Sequence, residues 1–141
     1  MPTYNPAIRT RILARIAGPY LVIMAVTLFA RQSALPQLLT DFVRDDPLVL
    51  ATGAFTLMAG LTMIALHHHW TSAAAIVLSL IGIVVALKGA WLMAAPVLGA
   101  ELTDAVVRRP SILLTAAGVE LLVGLWLSYV GWLSKDALIE S

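Results

Sequence analysis

Four stretches of the chain, 12–30, 48–66, 72–95 and 111–133, are almost free of charge, and each is long enough to cross a bilayer as a helix. A hydrocarbon core about 30 Å thick needs roughly 20 apolar residues at the 1.5 Å rise of an α-helix. In lipid every backbone N–H and C=O must find its partner inside the protein, so a run of this kind folds as a helix. Composition agrees: 60% of the 141 residues are apolar and 12% charged, against roughly 25% charged in a soluble domain. A soluble protein of 15.1 kDa could not bury that much apolar surface. With no Cys and no basic cluster denser than Arg108-Arg109, a disulfide scaffold, a zinc–thiolate site and a nucleic-acid binder are excluded. The expected fold is all-α. It is a polytopic membrane protein with one transmembrane domain, 1–141. Its four spans form two repeated hairpins, about 12–66 and 72–133, with short interfacial helices on the outer side.

The span boundaries carry their own chemistry. Asn5-Pro6 and Asp46-Pro47 each place a capping side chain before a Pro at the first helical position, and Pro110 stands where the fourth helix begins. Gly18-Pro19 is expected to kink or loosen the first span, because Pro removes a backbone hydrogen bond. Arg9, Arg11 and Arg15 ahead of an apolar run resemble a secretory signal, but Gly-Pro interrupts that run and no small-residue cleavage site follows. Basic residues divide evenly between the two sides. The first span normally dominates orientation, so its three arginines place both termini in the cytoplasm.

The two outer connections are alike. Leu39-Thr40-Asp41 and Pro47 align with Leu102-Thr103-Asp104 and Pro110 at an offset of 63, and Gly18 pairs with Gly82 at 64. This reads as an internal repeat of span, interfacial segment and span, related by an axis along the membrane normal. In the first connection Leu35, Leu38, Leu39, Phe42 and Val43 fall on one helical face, which predicts a short helix lying in the interface.

Two ionisable residues stand deep within spans. Lys88 lies roughly 10–12 Å from the outer end of the third span and Glu120 roughly 13–14 Å from that of the fourth, at 1.5 Å per residue. Such residues are costly in lipid and call for a partner or a wet cavity. Each lies beside a run of small residues, Gly82, Ala86 and Gly89 on one helix and Ala116, Ala117, Gly124 and Ser128 on the other. Small residues let membrane helices approach closely. We therefore expect an ion pair, Lys88–Glu120, between the third and fourth spans. Its alternatives are a polar site for an ion or small anionic solute and snorkelling of Lys88 to the headgroups.

His67, His68 and His69, followed by Trp70, occupy the turn between the second and third spans. Consecutive residues of a helix point about 100° apart, whereas helical metal ligands recur at i, i+3 or i+4, so no metal site is expected. The histidines read as a polar turn at headgroup level, in a belt with Trp70, Tyr129 and Trp132. A single axial ligand to haem or chlorophyll, or a site shared between protomers, stays open; otherwise no cofactor is expected.

The His-rich turn ending in Trp70, Leu87-Lys88-Gly89, Pro96 and the opening Gly18-Pro19-Tyr20 together resemble a family of small four-helix bacterial integral membrane proteins. The resemblance covers most of the chain. Where that family has Asn after the first His, this chain has His68. The resemblance implies a cytoplasmic-membrane protein and carries no activity with it. No nucleophile–base pair, carboxylate pair or phosphate loop stands in the sequence, so no enzyme is expected. The expected role is a non-catalytic accessory or scaffold subunit, its partners the bilayer and either other membrane subunits or its own copies. The rival is a minimal transporter or channel with Lys88 and Glu120 along its path.

Overall fold

The computed structural model describes residues 6–66 and 72–133, with the side chains of residues 6, 7, 99, 100 and 102 left aside. Six helices follow in order: α1 (Pro6–Arg31), α2 (Leu35–Val43), α3 (Asp46–Leu66), α4 (Ala73–Ala94), α5 (Pro96–Val107) and α6 (Pro110–Trp132). No strand occurs among the described residues. Helices α1, α3, α4 and α6 are each long and apolar enough to cross a membrane. They match the four runs read from the sequence, and α2 matches the expected short helix end for end. The chain is a helical membrane protein.

Local chemistry explains most of the helix ends, with one departure from expectation. Helix α1 begins at Pro6, as the Asn5-Pro6 step predicts, and continues through Pro19. Membrane helices tolerate such a Pro because neighbouring helices re-satisfy the freed backbone. The cap of α3 is Asp45, not Asp46: the Asp45 carboxylate accepts from the Leu48 N–H at 3.0 Å, and Asp46 already lies in the helix. The expected cap at Asn5 lies outside the described residues. Ser72 caps α4, its Oγ accepting from Ala75 N–H at 3.2 Å. Replacing Asp45 with Ala should cost about 1 kcal/mol, the usual value of an N-cap. Reversible unfolding of the purified variant in mixed detergent measures it.

The pairing of the spans departs from the expected hairpins. Helix α1 packs along α6 and α3 along α4, while the two pairs meet mainly between α1 and α4. Neither α1 with α3 nor α4 with α6 is a principal contact. Each tight pair is sewn by glycines at which the backbones all but touch. A Cβ on Gly60 would collide with the backbone of Ala86, and one on Gly89 with that of Leu57. In the other pair, Gly18 meets Ser128, and Gly124 meets the backbone of Val22. Where α1, α4 and α6 converge, Ala14, Ala74, Leu78 and Leu127 form the buried core.

The start of α1 and the ends of α3 and α6 share one end of the bundle, here termed basal. Helices α2 and α5 lie against each other and contact the spans at the opposite, cap end.

Candidate functional site

Polar side chains near the basal end serve helix termini. The last four carbonyls of a helix lack intrahelical partners, and that end carries partial negative charge. In the last turn of α6 the Gly131 carbonyl accepts from Arg15 Nε at 2.7 Å and from Arg11 Nε at 3.2 Å. Arg9 Nη1 donates to the Leu66 carbonyl at the end of α3, at 3.5 Å. The Arg15 guanidinium also stands 5.4 Å from the centre of the Trp132 ring, within cation–π range. Three arginines read from the sequence as orientation signals thus also tie α1 to two other helices.

Within the spans several hydroxyls return to their own helix. Thr27 donates to the Ile23 carbonyl, Thr62 to Met58, Thr115 to Ser111 and Ser128 to Gly124. Ser79 differs: its Oγ is buried without a hydrogen-bond partner.

Lys88 and Glu120 are placed differently from the sequence expectation. The small residues beside them do not face each other. Gly82, Ala86 and Gly89 of α4 pack on α3, whereas Gly124 and Ser128 of α6 pack on α1. The faces that would bring α4 against α6 are therefore already used, and these helices scarcely touch. No direct salt bridge joins Lys88 and Glu120; the salt bridge among the described residues is Arg108–Asp104, on the surface of α5.

Lys88 instead lines a partly enclosed chamber of about 160 Å³ near the cap end. Its walls come from four helices: Leu39, Phe42 and Val43 of α2, Val49 and Thr52 of α3, Lys88 and Leu92 of α4, and Pro96 and Thr103 of α5. The apolar face of α2 read from the sequence thus supplies part of the roof. The sequence had marked Lys88 and that face separately. Thr103 drew notice only as a matched position of the repeat, because nothing in a linear pattern shows that four segments meet beside Lys88, which itself remains exposed.

No group of three His, Cys, Asp or Glu suited to a metal occurs among the described residues. His67, His68 and His69, with Trp70, lie outside them. Tyr129 and Trp132 are exposed towards the basal end and Trp91 in the cap-end half of α4.

Fold and site together define a four-span helical membrane protein with a capped, lysine-bearing chamber. Comparison with protein families, curated proteins and solved structures finds no match, so the likeness to small bacterial membrane proteins gains no support from them.

Proposed function

We propose that the protein is a non-catalytic accessory or scaffold subunit of the bacterial cytoplasmic membrane, packing against a larger membrane complex or its own copies. The observation that carries this reading is how the polar side chains near and within the spans are used. Arg9, Arg11, Arg15, Thr27, Thr62, Thr115 and Ser128 all bind backbone carbonyls, so these groups hold helices rather than assemble chemistry. Large apolar side chains such as Phe55, Met58 and Leu122 point outward and suit lipid or a neighbouring span. Arg9, Arg11 and Arg15 share the basal end, which supports a cytoplasmic location for it and for both termini. Helices α2 and α5 would then lie in the outer interface.

The repeat reading gains support from paired contacts. Gly60 meets Ala86, and a shift of 64, one more than the 63 that aligns Pro47 with Pro110, gives Gly124 and Val22, which also meet. Helices α3 and α6 begin 64 positions apart, at Asp46 and Pro110. In a duplicated chain of this kind α1/α6 and α4/α3 are equivalent pairs, and α1/α4 and α2/α5 lie on the axis.

Purification in mild detergent from the native membrane tests the proposal. The expected result is a stoichiometric complex with another membrane protein or a defined oligomer, with no visible absorbance band. A monomer that travels alone overturns the scaffold reading, and a Soret or chlorophyll band brings the histidines back as ligands. A second reading, the minimal transporter with Lys88 and Glu120 on its path, is favoured by the chamber at Lys88. Its mark is an isolated oligomer that carries solute across proteoliposomes and loses that flux in Lys88→Met.

A further inference from the structure

The chamber has a chemical character that packing alone does not call for. Four helices contribute to it, yet among its lining residues Lys88 is the one charged group, with the hydroxyl residues Thr52 and Thr103 beside it. No acidic side chain lines it. Of the acids on the roof helices, Asp41 accepts from Gln37 at 2.9 Å, Asp104 pairs with Arg108, and Glu101 is exposed and does not line the chamber. Pro96, the first residue of α5, also lines the wall, so the N-terminal end of a twelve-residue helix abuts the chamber. That end carries partial positive charge, although Pro96 itself has no N–H to donate. A lysine, two hydroxyl residues and a helix N-terminus around one space make an environment for negative charge.

Depth and size narrow the class of ligand. Lys88 lies six residues before the end of α4, about 9 Å below the cap end at 1.5 Å per residue. A lysine there extends readily towards headgroup level. A volume of about 160 Å³ has room for several waters or for one phosphate- or carboxylate-sized group, and the surrounding leucine, valine and phenylalanine side chains would accept an attached chain. The repeat supplies an independent mark. The position 64 residues before Lys88 is Met24, so the charge belongs to one half alone. A lysine needed simply to pack this fold would have a counterpart in the other half.

We propose that this chamber binds a single oxyanion group, a phosphate or carboxylate, through Lys88. The oxyanion comes either from an anionic lipid headgroup or from a free solute. This goes beyond the scaffold reading and stands or falls separately from co-purification.

The test uses the full chain with two probes. Native mass spectrometry from nanodiscs of equal parts phosphatidylglycerol and phosphatidylcholine counts retained phosphatidylglycerol. Calorimetric titration of the delipidated protein with inorganic phosphate and with acetate reads free anions. Wild type and Lys88→Arg are expected to bind, and Lys88→Met to bind at least about tenfold more weakly, as loss of a charge-assisted hydrogen bond implies. Lysine-dependent retention of phosphatidylglycerol alone assigns the headgroup, and lysine-dependent binding of either free anion assigns a solute. Binding unchanged in Lys88→Met, or no binding by wild type in either arm, overturns the proposal. Should Lys88→Met fail to fold, Thr52→Phe gives the same decision by filling the chamber while keeping the lysine, and undiminished binding there also overturns it.

Discussion

Replacing Gly60 or Gly89 with Ala is expected to destabilise the protein by about 1–3 kcal/mol each, the usual cost of overpacking. At both positions the new methyl group would strike the backbone of the facing helix, Ala86 in one case and Leu57 in the other. A backbone cannot swing aside as a side-chain tip can, so α3 and α4 would have to separate along their length. In lipid that separation is costly, because van der Waals contact between close helices is a main source of their association. Gly118 provides the control. It lies on α6 with nothing within 4 Å of an added Cβ, and Gly118→Ala should leave stability unchanged or slightly raised. Unfolding midpoints in mixed micelles, with helical circular dichroism as the signal, would rank the three variants. If Gly60→Ala unfolds with wild type, α3 and α4 are not in the close contact described.

A double replacement, Arg11→Met with Arg15→Met, should have the next largest effect. Both side chains donate to the same Gly131 carbonyl, so either one alone can serve it. Each single variant should therefore lose little, and the pair more than the sum of the two. Hydrogen bonds from charged groups are worth about 1.5–3 kcal/mol. Arg15 is exposed and Arg11 half-buried, so solvent screening puts the expected loss near the lower figure. Fraying should concentrate in the last turn of α6. Hydrogen exchange of the segment from Tyr129 to Leu133 is the direct measurement: fast exchange in the double variant and near-native protection in each single one. Equal exchange in all three would mean that the arginines do not hold this end.

The parts of this fold that were legible in the sequence are those decided by local chemistry. Span lengths follow from apolar runs, and α2 from the spacing of Leu35, Leu38, Leu39, Phe42 and Val43. The capping position of α3 was displaced by one residue because Asp45 and Asp46 are both able to cap, and the linear sequence does not rank them. The pairing of spans was not legible. In a soluble helix an apolar stripe points to the core, but a span is apolar on every side, so periodicity no longer distinguishes lipid from neighbour. Small residues such as Gly82 and Gly124 do mark contact faces, yet a small residue accepts any helix that comes close. Hence the faces were recognised and the partners mistaken.

Lys88 shows the same division. The four long apolar runs determine that this is a four-span membrane protein. They also determine that a lysine at position 88 and a glutamate at 120 are out of place in lipid, since the desolvation of a charge depends on depth, and depth can be counted along a helix. What answers that charge depends on which faces the helices turn to each other, and tertiary structure alone decided it. The glycine seams turned α4 towards α3 and α6 towards α1. Lys88 was left lining a chamber roofed by α2 and α5, with no salt bridge to Glu120.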